Sequence, residues 1–342
     1  MDQFIALIET FRAFAEDSMG SFLSLFLHPG NALSFKFLLS SWMIGAAVIY
    51  MRRRRAGTPF DKSFLTDLFP RDAFFSPSAK RDYVVAFLNQ GPILVLRAST
   101  AVTPALIAVP ILALFGTPLA NGTVDTHWAM IGLYTLVTFV AWDFAATLSH
   151  LLRHRVPMLW ELHKVHHSAE VMNPITAFRR HPLEMVIIEV VVGLVMGAVL
   201  ALWVLIFGSF GSLAVIFGVN AFTLIWRAAG YNLRHSHIWV DFGPFWSRIF
   251  ISPAQHQIHH SNASQHFDKN FGIIFSFWDH MLGTLYVPEG KEEIQFGIDE
   301  EDLKDLRSVR GLYFSPLKKI GKMLIKPSPK SGATTQASDN AV

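Results

Sequence analysis

Three histidine clusters carry the chemistry legible in this chain: His150-x3-His154, His163-x2-His166-His167 and His256-x2-His259-His260. They hold eight of its fifteen histidines, in a sequence with no cysteine. Neutral imidazole is the commonest protein metal ligand. Eight rings are more than one ion can use, so the clusters point to a site with two metals. On an α-helix, residues i and i+4 lie on one face about 6 Å apart along the axis, so His150 and His154 can aim at one point. In the other two clusters i, i+3 and i+4 share a face, and each is expected to offer three rings to one centre. Asp143, two turns before His150 on the same face, is placed to hydrogen-bond a ligand ring and fix its tautomer.

All-nitrogen ligation suits zinc, copper, iron or nickel. Structural zinc takes four closed ligands, often with cysteine. Eight or more histidines without cysteine fit two redox-active irons with positions open to oxygen better. Zinc can occupy a vacant iron site, so zinc in a purified sample would not decide between them.

The elements that must position these rings read as membrane helices. The chain has 342 residues, 51% hydrophobic and only 16% charged, with 30 Phe. A soluble globule carries about a quarter charged residues. Spans of roughly 20 apolar residues are expected at 33–50, 86–115, 127–149, 185–207 and 210–228. The second is broken by Pro92, Pro104 and Pro110, with Arg97 inside it, and reads as a kinked helix or a helix plus a re-entrant piece. The fourth and fifth join at Gly208-Ser209 as a tight hairpin. The loop 51–83 opens with Arg52 to Arg55 and carries eight Lys/Arg, whereas 116–126 and 208–211 carry none. By the positive-inside rule the basic loop is cytoplasmic, and all three clusters then follow helix ends on that face.

The fold class expected is therefore all-α: an integral membrane bundle of about four to five spans, with a cytoplasmic helical cap holding a di-metal histidine site. Residues 1–83 would supply an N-terminal interfacial helix, the first span and the basic loop. Residues 84–290 would form the catalytic domain, 291–325 a cytoplasmic C-terminal segment, and 326–342 a polar disordered tail. The stretch from Leu312 to Lys326, with Lys318, Lys319 and Lys322 among apolar residues, could lie along the membrane surface. The net charge of +3 sits in loops and is read as topology, so nucleic acid is not an expected partner. The N-terminus lacks the basic n-region of a secretory signal, and the lack of organelle signals points to a bacterial inner membrane.

The motifs also carry a resemblance. The order HxxxH, HxxHH, HxxHH, with eight residues between the first two boxes and 88 between the last two, resembles the fatty acid hydroxylase/sterol desaturase superfamily. Leu159-Trp160-Glu161-Leu162-His163-Lys164-Val165-His166-His167-Ser168 is similar to that family's second box. Thr176-Ala177-Phe178-Arg179-Arg180-His181-Pro182-Leu183-Glu184 resembles its R-x-H-P-L-E segment. Asp268-Lys269-Asn270-Phe271-Gly272 and Trp278-Asp279 through Gly283-Thr284 resemble its closing segments. The resemblance covers roughly residues 80–290.

The resemblance implies an integral membrane, non-haem di-iron enzyme that uses O2 and two external electrons to hydroxylate or desaturate a lipid, sterol-like or fatty acyl, at the cytoplasmic face. It implies His150, His154, His163, His166, His167, His256, His259 and His260 as iron ligands. Further histidines between the second and third boxes complete the site in the family; here His235 is favoured. His181, His237, Asp143, Asn270 and Asp279 are candidates for an additional ligand or for a partner to one. Two departures stand out: His150-Leu151 where many relatives have His-Arg, and Trp278-Asp279-His280 where Arg or Lys is usual. Both bear on subfamily and substrate rather than on metal binding.

No dinucleotide loop preceded by a strand is visible, so electrons must come from a ferredoxin or cytochrome b5-type carrier with its reductase. His28-Pro29-Gly30 resembles part of a b5 haem motif but lacks the flanks and a second ligand, and reads as a helix-breaking loop. The basic loop could dock an acidic carrier, though such a run more often anchors topology. Two other function classes compete. A metal transporter needs ligands deep inside spans, whereas these sit at helix ends. A zinc-dependent membrane hydrolase needs about three histidines and an acid/base glutamate, for which Glu161 or Glu184 would serve; the surplus histidines argue against it. Arg97 and Arg227 would, on a functional reading, recognise a lipid headgroup or carboxylate; the structural reading, snorkelling or pairing with Glu184 or Glu189, is favoured.

Overall fold

The computed structural model describes residues 2–90, 103–117, 124, 127–216 and 219–325. Helix α1 spans Asp2–Leu27, α2 Phe35–Arg55, α3 Ser63–Leu68, α4 Arg71–Phe75 and α5 Pro77–Leu88. Then come α6 (Thr103–Leu114), α7 (Trp128–Arg155), α8 (Pro157–His167) and α9 (Pro182–Phe207). A two-residue antiparallel pair, β1 (Val215–Ile216) and β2 (Val219–Asn220), precedes α10 (Ala221–Ala228). The chain continues through α11 (Pro253–His259), α12 (Phe277–Leu282), α13 (Glu300–Leu306) and α14 (Val309–Ile325).

Among the described residues two helices, α7 and α9, are long and apolar enough to cross a membrane. At 1.5 Å per residue they extend about 42 and 39 Å, beyond the roughly 30 Å of a bilayer core. They pack against each other, and α9 packs against α6. Ala108, Leu112, Ala201 and Val204 form the buried core of that second contact. Gly197 makes it possible: a Cβ there would lie 2.7 Å from the Pro104 carbonyl oxygen. The faces turned outward are apolar too. On α9 they include Leu183, Val190, Leu194 and Ile206, which suits contact with lipid rather than water.

The structure corrects the expected span at 210–228. That stretch holds only the β1–β2 pair, with Val215 opposite Asn220 and Ile216 opposite Val219, and the eight-residue α10. Gly208 ends α9 in the left-handed conformation at φ 66°. Gly208, Gly211 and Gly218 within a dozen residues make a helix expensive. The segment instead runs back along α7. Its backbone polar groups are met there: the Ala214 amide donates to Thr135 Oγ1 at 2.9 Å, and Asn220 Nδ2 donates to the Thr135 carbonyl at 2.9 Å. Non-helical backbone needs such protein partners wherever water is scarce.

The stretch 86–115 is not one helix either: α5 ends at Leu88 and α6 begins at Thr103. Residues 91–102, with Arg97 and Pro92, lie outside the described residues, as does the tail 326–342. The expected span at 33–50 falls on α2, which runs on through Arg55 and is not one of the two helices long and apolar enough to cross a membrane. It buries Phe37, Ser41, Gly45, Ile49 and Arg53 at four-residue spacing against Leu233 and Ile238, among others. Arg53 is held by Asp67 at 2.5 Å and Asp61 at 3.1 Å. The C-terminal helices fold back onto α8: Lys164 Nζ meets Asp302 at 2.5 Å, and Lys319 joins the same carboxylate. Leu306 and Leu312 pack with Val85 and Val165.

Candidate metal centre

Four elements converge to build the site. The last two turns of α7 carry His150 and His154. Helix α8 carries His163, His166 and His167. A 3-10 turn, Tyr231–His235, ends in His235, and α11 carries His256 and His259 with His260 as its C-cap. Proline opens both α8 and α11, where its fixed φ favours the first turn. Ser252 and Gln255 cap α11 reciprocally. The boxes therefore sit on short, well-started helices.

The nine histidines fall into two groups. His150, His154, His163, His167 and His259 form one; His166, His235, His256 and His260 form the other. Within each, one ligand atom per residue lies within 4.8 Å of all the rest. This corrects the expectation that each HxxHH box serves one centre. The second box gives His163 and His167 to the first group and His166 to the second. The third box does the reverse, giving His256 and His260 to the second group and His259 to the first. Helical geometry explains the split. At 3.6 residues per turn, position i+4 returns to within about 40° of i, while i+3 falls about 60° short on the other side. Adjacent rings thus diverge by roughly 100° and reach different centres. The two groups touch where His167 stacks on His260, ring centroids 4.4 Å apart.

Hydrogen bonds fix the tautomers. His150 Nδ1 meets the Phe271 carbonyl at 2.8 Å and His259 Nδ1 the Lys269 carbonyl at 2.8 Å. A carbonyl only accepts, so each Nδ1 carries the proton and each Nε2 presents a lone pair. His163 Nδ1 is held in place between Glu184 Oε1 at 2.9 Å and Arg153 Nη1 at 3.0 Å, and those two side chains are themselves paired. In the first group Nε2 of His154, His163, His167 and His259 is buried without any partner. In the second, His235 Nε2 lies 3.0 Å from His256 Nε2 and 3.3 Å from His166 Nε2, and His260 Nε2 has no partner. Buried polar nitrogens are almost always satisfied. So many inward lone pairs left bare are what a pair of cations would satisfy, and the residues fit the metals the sequence implies.

Electrostatics agrees. Burial, reinforced by neighbouring cationic groups, pushes His163, His166, His167, His235, His256 and His260 well below the ordinary histidine range. Burial lowers His259 to about 4. The rings are neutral at pH 7, as ligation requires.

The remaining candidates lie around the site rather than in it. His181 is the N-cap of α9; its Nδ1 accepts from the Leu183 amide and its Nε2 meets the Tyr313 carbonyl at 3.0 Å. His237 Nε2 meets the Asp67 carbonyl at 2.8 Å, outside both groups. Asp143 touches no histidine. It accepts from the Ile274 and Phe275 amides and from Trp278 Nε1, because the loop after the third box, not His150, fills the space beside it. Asp279 accepts from the Phe271 and Gly272 amides. Asn270 bridges the Gln255 carbonyl and the Tyr286 amide. Asp268 and Asn270 both adopt left-handed backbone, at φ 58° and 57°, a conformation tolerated best by Asn and Asp. The D-K-N-F-G loop is thus built to present the carbonyls of Lys269 and Phe271.

Sequence reasoning missed these carbonyls, which have no side-chain signature. It also missed Arg153 and the clamp around Arg179. Wholly buried, Arg179 reaches the Val165 carbonyl at 2.9 Å, Ser168 Oγ at 2.8 Å and Asp82 at 2.9 Å, tying the end of α8 to α5. Arg227 donates to the Gly30 carbonyl rather than to a glutamate. Glu161 is paired with Lys164 at 2.7 Å. A cavity of about 460 Å3 adjoins the first group, walled by His154, His167, His259, Trp160 and Phe267, with Asp268 and Asp299 at its rim. It is not the wholly apolar channel a lipid tail needs along its length.

Residues 135–284 match the family model described as fatty acid hydroxylase. The chain is 28% identical to an alkylglycerol monooxygenase of Danio rerio over 184 residues, which is 52% of this chain and 36% of that protein. It is 28% identical to the Caenorhabditis elegans alkylglycerol monooxygenase over 143 residues, 42% of this chain and 25% of that one. It is 30% identical to the human cholesterol 25-hydroxylase over 155 residues, 44% and 51% respectively. The chain thus spans between a quarter and about a third of the first two proteins. No solved structure matches it significantly.

Proposed function

Because residues 135–284 of this chain belong to the fatty acid hydroxylase family, we propose that it is a membrane-bound oxygenase that hydroxylates or desaturates a lipid. The observation that carries this reading is the pair of histidine groups with their bare, buried Nε2 atoms. His150, His154, His163, His167 and His259 would hold one iron, and His166, His235, His256 and His260 the other. When bound, the two irons would supply the means to activate O2 with electrons from an external carrier. The chain's own residues do the rest. The Phe271 and Lys269 carbonyls hold His150 and His259 in the tautomer that leaves Nε2 free, and Glu184 and Arg153 together fix the His163 ring at its Nδ1. Burial keeps water from the rings, and no side chain is needed as acid or nucleophile.

Two relatives are named for alkylglycerol and cholesterol, so the substrate we propose is a lipid of fatty acyl, glyceryl ether or sterol type. Glu161 and Glu184 are both engaged in ion pairs, which weighs against a zinc hydrolase. The electron donor we propose is a ferredoxin or b5-type protein. We place the site on the cytoplasmic face because Arg52, in the basic run, donates to the Trp239 carbonyl close to His235 and His237, so the basic run and the site share one end of the molecule. The named relatives are animal proteins and lend no support to a bacterial inner membrane.

The test is untargeted lipid mass spectrometry of cells expressing the wild type or His259→Ala, with both proteins present in the membrane. A lipid gaining one oxygen only with the wild type identifies a hydroxylase; one losing two hydrogens identifies a desaturase. No difference between the two lipid profiles rejects the proposal.

A further inference from the structure

A second cavity, of about 180 Å3, lies apart from the one beside the first group. Its walls include Ala32, Asn89, Phe178, Arg180, Met185 and Tyr231. Its polar groups are nearly all engaged. Asn89 donates to the Arg180 carbonyl at 2.8 Å and accepts from the Tyr313 hydroxyl at 2.8 Å. Asn232 donates to the Ala32 carbonyl at 2.9 Å. The Arg180 guanidinium is the exception. Its Nε is shut from solvent with no partner, and among the described residues no carboxylate is in ion-pair contact with it.

The surroundings deepen the imbalance. Arg234 lies over the Tyr231 ring, 4.7 Å from its centroid, and Arg227 precedes them on the same stretch of chain. Neither has a carboxylate in ion-pair contact among the described residues. Burial alone would raise the Tyr231 hydroxyl, but the charges of Arg234, Arg180 and Arg227 outweigh it and leave the group below its ordinary range. Glu184 and Asp143 act on Arg180 and Arg234 from farther away, but neither is in ion-pair contact with them, and an oxyanion in the cavity would meet the Arg180 N–H donors directly.

Position narrows the ligand. Arg180 stands two residues before Pro182, where one of the two described helices long and apolar enough to cross a membrane begins, and so at the level expected for lipid head groups. Met185 carries the cavity one turn into that helix, and the other walls are Ala32, Ala177 and Phe178. The space is also close to the second histidine group, since Tyr231 opens the turn that ends in His235.

We propose that this cavity binds the anionic head of a single-chain amphiphile, with the oxyanion on Arg180 and the chain leaving past Met185 along α9. Calling that amphiphile the substrate rests on the lipid-oxygenase reading; the binding itself does not.

The experiment measures binding of tritiated palmitate to the full chain, purified in detergent without metal. Unlabelled palmitate, methyl palmitate and inorganic phosphate serve as competitors. Arg180→Gln should weaken palmitate binding by at least about tenfold, the loss expected for charge-assisted hydrogen bonds. Methyl palmitate should compete poorly against the wild type. Arg180→Lys, which keeps the charge but loses the planar fork, should fall between. Met185→Trp, which fills the cavity from its apolar wall, should weaken binding as well and guards against a fold defect in Arg180→Gln. Equal palmitate affinity in wild type and Arg180→Gln overturns the proposal, as does methyl palmitate competing as well as palmitate. Phosphate that binds and is not displaced by palmitate marks a free-phosphate site and also overturns it. Palmitate binding that depends on Arg180, in a protein whose cells make no oxidised lipid, would keep the cavity assignment and remove the enzyme reading.

Discussion

His150 Nδ1 donates to the main-chain carbonyl of Phe271 at 2.8 Å, across 121 residues of sequence. That bond joins the first histidine box to the loop that follows the third. Asp279 holds the Phe271 amide at 2.7 Å from behind. The aim of His150 is therefore decided by a carboxylate that never touches it.

The division into two groups makes a stoichiometric prediction. Protein purified with iron supplied should carry about two ions per chain, and removing one ligand should release mainly the ion of its own group. His154→Ala and His256→Ala belong to different groups, so each should retain about one ion and the double variant close to none. Elemental analysis of the three proteins checks this. Loss of all metal from either single variant would mean one cooperative cluster instead.

Asp279→Ala should destabilise the fold without removing any ligand. It strips the acceptor from the Phe271 and Gly272 amides and from Thr284 Oγ1, at 2.7, 2.8 and 2.7 Å. Each orphaned buried donor costs about 1–3 kcal/mol. The Phe271 carbonyl then loses its fixed position, so iron retention should drop as well. A thermal unfolding curve and a metal titration matching the wild type would refute the role given to Asp279.

Acid should unfold the metal-free protein in a definite window. His259 in the fold titrates at about 4, against an ordinary histidine near 6.5, because it is buried. Between those values the unfolded chain binds a proton that the folded chain refuses, so stability is full above pH 6.5 and falls as pH drops toward 4. The six neighbours lowered further by burial steepen the fall. Denaturation midpoints of metal-free protein measured from pH 8 to 4 test the sign. A midpoint that rises on acidification contradicts it.

The Arg179–Asp82 pair offers a fourth test. Both side chains are fully buried and 2.9 Å apart, and through Asp82 Arg179 ties the Val165 carbonyl and Ser168 to α5. Asp82→Asn leaves an uncompensated buried charge, worth about 3–5 kcal/mol. The unfolding midpoint should fall sharply, and iron binding should weaken because α8 carries His163, His166 and His167. A variant as stable as the wild type would show that the clamp is dispensable.

Much of the candidate histidine cluster was legible in the chain. Spacing alone named the eight box histidines, because ligands that must share a helix face obey its period. His235 needed the family resemblance. The R-x-H-P-L-E segment was visible as a motif, but its purpose was not: Arg179 clamps α8, His181 caps α9, and Glu184 orients His163. The histidines expected to partner the boxes, His181 and His237, are engaged by the Tyr313 and Asp67 carbonyls, acceptors that no side-chain pattern announces.

The fold was legible more unevenly. Composition and apolar length identified α7 and α9, since a hydrophobic run of that length has few alternatives. The same reasoning read 210–228 as a span. Its glycines and the waiting partners Thr135 and Thr138 on α7 made a hairpin cheaper than a helix, and those partners exist only once α7 is in place. What the sequence determined by itself was which rings are available and on which helices. Only the tertiary structure decided that each HxxHH box is divided between two histidine groups, because that depends on α8 and α11 facing each other. It also decided which nitrogen of His150, His163 and His259 faces inward, because Phe271, Glu184 and Lys269 reach those rings through space.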